Sequence, residues 1–165
     1  MMKNYPALLN ILAALFLAGI FSCEKQQYFY DSSGQLKADI AIIDQYLADS
    51  NIVALKSSSG LRYVIHDPGF GEYPTIGSSV TMNYRGTLLD GTEFDSSYDN
   101  PSAFNFSLGF NQVISGVDEG VQYIREGGSI TLYIPSPLAY GRSSPNELIK
   151  ANSILIFHIE LISVQ

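Results

Sequence analysis

The stretch VTMNYRGTLLDGTEFDSS, residues 80–97, settles whether this chain is built from helices or strands. Val80, Met82 and Tyr84 alternate with Thr81, Asn83 and Arg85, a period of two that marks a half-buried strand. The strand continues to Leu89 and reverses at Asp90-Gly91, the dipeptide favoured by a type I′ hairpin turn. Upstream, Leu61, Tyr63 and Ile65 alternate with Arg62, Val64 and His66 as far as Asp67-Pro68-Gly69. Downstream, Ile130, Leu132 and Ile134 form a strand stopped by Pro135 and Pro137. In the last strand Leu155, Phe157, Ile159 and Leu161 face one way, and Ile156, His158 and Glu160 the other. One short helix interrupts them. Ser115, with Asp118 three residues on, forms a capping-box pattern; Val117, Val121 and Ile124 give the stripe, and Gly127-Gly128 the end. Several antiparallel strands with one short helix predict an α+β fold, with the helix lying against a curved sheet.

The 165 residues suit one domain with a short appendage. A formal net charge of −7 argues against a nucleic-acid partner, whose phosphates would be repelled. The single cysteine, Cys23, excludes an internal disulfide and a cysteine-based metal cluster. The mean hydropathy of +0.10 is high for an acidic protein, and the excess lies at the start of the chain. Lys3 precedes an uncharged, mostly apolar run from Ala7 to Phe21, the length of an export signal and short of a bilayer span. The string LAGIFSC, ending at Cys23, resembles the lipobox of bacterial lipoproteins, although Phe21 is bulky for its position. That resemblance implies cleavage before Cys23, lipidation of its thiol and amine, and anchoring to a bacterial membrane. The outer membrane is the expected site, on its periplasmic or surface face. A plain signal peptide cut elsewhere, or an uncleaved anchor, is the alternative.

The chain thus divides into a signal at 1–22, a tether at 23–34, an amphipathic helical extension at 35–56 and a main domain at 57–165. Tyr28, Phe29 and Tyr30 sit in the tether. Leu36, Ile40, Ile43 and Leu47 recur at spacings of four, three and four, one face of a helix with Ser33 as N-cap and Asn51 as stop. This face packs on the main domain or on a protein partner, reached through residues 35–50.

Conventional catalytic groups are scarce. His158 shares a strand face with Glu160, but no further ligand follows at useful spacing, so no metal site is expected. Asp90, Glu93 and Asp95 cluster on one hairpin, where solvated charges explain them better than a glycosidase dyad. No G-x-S-x-G and no phosphate-cradling loop occurs, and no cofactor is implied. What stands out is aromatic and apolar density between Tyr84 and Tyr140.

The ordered blocks NYRGTLLDGTEFDSS, FNFSLG, QVISGVDEG and PLAYG, with the final strand, resemble the FKBP-type peptidyl-prolyl cis/trans isomerases from about Leu61 to Leu161. The resemblance implies a twisted antiparallel β-sheet wrapped around one short helix. It implies that Tyr84 is the pocket tyrosine, and that Phe94 and Asp95 are a wall aromatic and a buried carboxylate. Phe104 would join the wall, while Phe106, read as pointing away from it, would be core. Val113 and Ile114 match a V-I pair whose isoleucine N–H binds a substrate carbonyl. Tyr140 would donate its hydroxyl to the ligand, Phe157 would line the pocket, and Leu148 and Ile149 would sit on a loop flap. Three positions depart from the family pattern: Val117 replaces a frequent tryptophan floor, Ile149-Lys150-Ala151 replaces I-P-P, and Asn100 replaces an arginine that partners the aspartate.

The implied activity is isomerisation of X–Pro bonds in exported, proline-containing polypeptides, by a dry pocket that favours the twisted amide. The alternatives are a peptide-binding module or chaperone using the same groove without useful catalysis, and a structural role in an envelope complex through the helix.

Overall fold

The computed structural model describes residues 32–165. Helix α1 (Ser32–Asp49) leads into strands β1 (Leu55–Lys56), β2 (Arg62–Asp67), β3 (Ser79–Leu88), β4 (Glu93–Ser96) and β5 (Phe104–Ser107). Helix α2 (Ser115–Gly120) follows, then β6 (Ser129–Ile134) and β7 (Leu155–Val164). The strands form one sheet in the order β1-β2-β6-β7-β3-β4, with β5 also paired to β3, and every pairing is antiparallel. The α+β architecture of a curved antiparallel sheet around a short helix is therefore as expected.

Period-two alternation sends Ile130, Leu132 and Ile134 of β6, and Leu155, Phe157 and Ile159 of β7, to one face, where they pack with Val117, Val121 and Ile124. Helix α2 approaches β6 closely because Gly116 carries no side chain: a Cβ there would lie 2.5 Å from Ile134 Cγ2. The other face holds Tyr133, Val64 and Ile156, covered by Ile43 and Leu47 of α1. The apolar stripe of α1 is thus used within its own domain. Asn51, at φ 55°, ends this helix in a Schellman arrangement. Ile52 N–H donates to Leu47 O at 2.8 Å and Asn51 N–H to Ala48 O at 3.1 Å, and Ile52 and Leu47 share the second apolar cluster.

Four local expectations are corrected. Helix α1 begins at Ser32, inside the span read as tether, with Leu36 and Ile40 packed over Gly60; residues 52–56 leave the helix, and Leu55-Lys56 pair with β2. The β3–β4 turn is not type I′. Gly91 N–H donates to Leu88 O, so Leu89 and Asp90 are the central residues, neither has positive φ, and Gly91 (φ 86°) takes the left-handed position after them. Ser115 does not cap α2; Ile114 is the cap residue without a side-chain cap bond. Tertiary partners take both groups of the presumed box: Ser115 Oγ donates to Leu138 O, and Asp118 Oδ1 accepts from Gly109 N–H. Phe106 is core as expected, at 2% exposure, but it does not point away from Phe104. Residues two apart on a strand share a face, and the two rings stack with centroids 5.8 Å apart. The signal, the tether to Asp31 and Cys23 lie outside the described residues.

Candidate active site

Strand β3 puts Met82 and Tyr84 on one face, and its two antiparallel partners bring further side chains to them. Strand β5 pairs with the first half of β3 and delivers Phe104 opposite Met82; β7 delivers Phe157 opposite Gly86. Strand β4 carries Asp95, the segment before α2 carries Gln112, Val113 and Ile114, and α2 itself carries Val117. With Tyr140 these residues line a pocket of about 180 Å³. Three larger grooves among the described residues, of about 380, 460 and 320 Å³, run along α1. They lack the convergent aromatic rings of the smaller pocket, which is the better candidate site.

Tyr84 is the hub. Its ring meets Phe104 edge-on at 5.7 Å and 86°, and Phe157 at 5.7 Å, while Phe157 meets Phe94 edge-on at 5.6 Å. Such edge-to-face geometry sets the positive ring edge on a negative face and fixes each ring. The Tyr84 hydroxyl donates to Asp95 Oδ2 at 2.7 Å. Burial, then the adjacent Asp95 carboxylate, push its pKa well above the ordinary tyrosine value, so it stays a protonated donor. The FDSS sequence acquires a division of labour. Asp95 takes the Tyr84 hydroxyl, Ser96 Oγ accepts from Tyr98 N–H, and buried Ser97 accepts from Tyr84 N–H at 2.8 Å.

At the cap of α2 the Ile114 carbonyl accepts from Val117 and Asp118 N–H. The Ile114 N–H itself precedes the helix and meets no acceptor among the described residues. Tyr140, 39% exposed, stands at the pocket mouth. Its pKa is raised by burial and then by Asp95. Among the described residues, Asp95 is the only carboxylate or base lining this pocket.

The structure therefore brings together Tyr84, Asp95, Phe104, Val113, Ile114, Val117, Tyr140 and Phe157. Asp95 is exposed rather than buried, because the Tyr84 hydroxyl alone covers one of its oxygens. Phe94 does not line the pocket; it backs Phe157 and lies over Gly86, where a Cβ would come 2.6 Å from its ring. Ile149 is 2% exposed and belongs to the core, and Leu148 is half exposed, so neither faces the pocket. Met82 and Gln112 line it without having been singled out. Met82 was readable, two residues from Tyr84 on one strand. Gln112 is fixed by a bond from Ser107 N–H to its Oε1 at 2.8 Å, which no sequence pattern signals.

Residues 71–162 match the family model of the FKBP-type peptidyl-prolyl cis-trans isomerases. The chain is 48% identical over 111 residues to the FKBP-type peptidyl-prolyl cis-trans isomerase FkpA of Buchnera aphidicola (subsp. Schizaphis graminum), covering 67% of this chain and 43% of that protein. The chain thus spans less than half the length of this relative. Among solved structures, FkpA from Escherichia coli superposes with a TM-score of 0.67 at 36% identity, over 81% of this chain and 64% of that one. A peptidyl-prolyl cis-trans isomerase from Pseudomonas syringae pv. tomato gives 0.65 at 30% identity, over 81% and 95% respectively. With the twisted sheet, the short helix and the aromatic pocket already in place, the chain belongs to the FKBP-type peptidyl-prolyl cis-trans isomerase family.

Proposed function

We propose that this protein catalyses cis/trans isomerisation of X–Pro bonds in polypeptides, and that the Tyr84-centred pocket is where it does so. The observation that carries the reading is one aromatic recess in which a fixed tyrosine hydroxyl, an unengaged backbone N–H and an open floor meet.

Rotation about an X–Pro bond faces a barrier of ~18–20 kcal/mol from amide resonance. No bond breaks, so no nucleophile or proton relay is needed. Binding the twisted amide more tightly than the planar one lowers the barrier. Twisting localises the nitrogen lone pair and weakens the carbonyl dipole, so an apolar wall penalises the twisted state less than the planar one. Tyr84, Phe104, Val113, Val117 and Phe157 supply that wall, and Phe94 holds Phe157 from behind. The Ile114 N–H and the Tyr140 hydroxyl hold substrate carbonyls. Asp95 orients Tyr84 through the 2.7 Å bond and lines the same pocket in which the twisting carbonyl would lie.

Exchange between cis and trans forms of a proline-containing peptide, followed by NMR with purified protein, tests this; no acceleration over background overturns it. Val117 favours one second reading, a peptide-binding module without useful turnover, because the pocket lacks a flat aromatic floor. That reading requires peptide-induced shifts at the pocket with no rate enhancement.

The same reading extends to location. The chain is exported and held on a membrane by acyl groups on Cys23, the lipobox-like LAGIFSC supporting this. Palmitate labelling that is lost on Cys23→Ala tests it. A partner for α1 would meet its outward side, Ala41, Ile42 and Gln45, since the inward stripe is occupied by its own domain.

A further inference from the structure

The outer face of the sheet carries a pair of histidines that the isomerase pocket does not use. His66 on β2 and His158 on β7 flank Thr131 on β6, and their rings converge above it with centroids 5.5 Å apart. His66 Nε2 lies 2.8 Å and His158 Nδ1 3.2 Å from the same atom, Thr131 Oγ1. A single hydroxyl thus fills a point toward which one nitrogen of each ring is aimed. We propose that His66 and His158 form a two-imidazole chelating site for a divalent late first-row transition ion, of the Zn²⁺, Ni²⁺ or Cu²⁺ class.

The ring spacing fits. An ion about 2.1 Å from one nitrogen of each ring, at a tetrahedral angle, sets the ring centroids roughly 5 Å apart. Imidazole suits these ions, whereas hard cations such as Mg²⁺ and Ca²⁺ want oxygen. Small rotations of both rings away from Thr131 admit the ion, with water completing its shell. The neighbouring charges are not prohibitive. Arg85 is paired with Glu93 at 2.9 Å, and Glu160, next on the same face of β7, adds a carboxylate that accepts from Tyr98. Because His158 points away from the pocket-lining Phe157, the ion would clip β2 to β7 across β6 without touching the pocket.

The sequence could pair His158 only with Glu160, two residues away. The third strand, and with it His66, arrives 92 residues earlier in the chain, through the β2-β6-β7 order.

The test uses the full chain carrying Cys23→Ser, so that a thiol cannot compete for the metal. Zn²⁺ titrated calorimetrically should bind one ion per chain, and His66→Ala or His158→Ala should each weaken binding at least tenfold. Ni²⁺ should broaden the ring signals of His66 and His158 before any others. Both histidines are exposed, and the circular-dichroism melt of each variant establishes that it is folded. Binding that survives either substitution unchanged, or broadening centred elsewhere, overturns the proposal.

Discussion

Asp39 Oδ2 accepts both the backbone N–H of Ser136, at 2.7 Å, and its hydroxyl, at 2.6 Å, across 97 residues of sequence. Both residues are fully buried, and Gln35 donates to the other carboxylate oxygen at 2.7 Å. Ser136 opens the segment that bears Tyr140, and its carbonyl accepts from Gly141 N–H at 2.8 Å. The N-terminal helix is therefore bolted to the base of the pocket's Tyr140 loop. Asp39→Ala leaves a buried N–H and a buried hydroxyl without an acceptor, each worth ~1–3 kcal/mol. The expected loss is about 3 kcal/mol in urea unfolding, with faster amide exchange in α1 and at residues 136–141. A loss below 1 kcal/mol would show that the contact contributes little.

The bond from Tyr84 to Asp95 makes a narrower prediction. Tyr84→Phe keeps the edge-on contact with Phe104 and removes only the hydroxyl. One charge-assisted hydrogen bond is worth ~1.5–3 kcal/mol, and Asp95 is exposed enough to recover part of it from water. Catalytic efficiency in the peptide assay should fall about tenfold with the melting temperature nearly unchanged. If Asp95→Asn then lowers activity no further in the Tyr84→Phe background, Asp95 acts only by orienting the tyrosine.

These two contacts also show what could be read from sequence. Tyr84, Phe104 and Phe157 were legible because strand alternation places them locally, and the inward faces of β3 and β7 follow from a period of two. Asp39 was not legible. It lies on the buried face of an amphipathic helix where pattern alone expects an apolar side chain, and its partner is on another element. The same holds for Ser115 and Asp118, whose spacing spelled a cap but whose bonds go to Leu138 and Gly109. Ile149, placed on a flap by resemblance, is core because the loop folds its side chain under itself: Ile149 N–H and O are held by Asn146 and Ser144. Local period sets the strands, and long-range polar contacts decide which loops and helix ends do what.

Docking of α1 should also depend on acid. Arg62, 6% exposed, donates from Nε to Asp44 Oδ1 at 2.8 Å and from a terminal nitrogen to Oδ2 at 3.1 Å, tying β2 to the helix. The Arg62 hydrogen bonds hold the Asp44 pKa below its ordinary 3.8, outweighing burial. A depressed carboxyl pKa gives stability that is complete above the ordinary value and lost as pH falls through the folded one. Because Asp44 is about one-third exposed, the pair is worth about 1 kcal/mol. Asp44→Asn should therefore be about 1 kcal/mol less stable at pH 7, with the difference from wild type closing below pH 3.8. A gap that does not narrow as the pH falls below 3.8 would place the effect elsewhere.

Val117 separates catalysis from mere binding. It is 2% exposed and lies beneath Tyr84, Phe104 and Phe157 at the start of α2, in a recess of about 180 Å³. Overfilling a packed core costs ~1–3 kcal/mol, but here the larger ring of Val117→Trp has the recess itself to enter. A flat floor would add area against a prolyl ring and narrow the pocket around the twisted amide, where aromatic contacts are worth ~0.5–1.5 kcal/mol beyond burial. Catalytic efficiency should rise severalfold, up to about tenfold, while the melting temperature falls by only a few degrees. If the variant folds, binds peptide more tightly and still gives no rise in rate, the floor is not what limits turnover. A peptide-binding role would then describe this pocket better than an isomerase one.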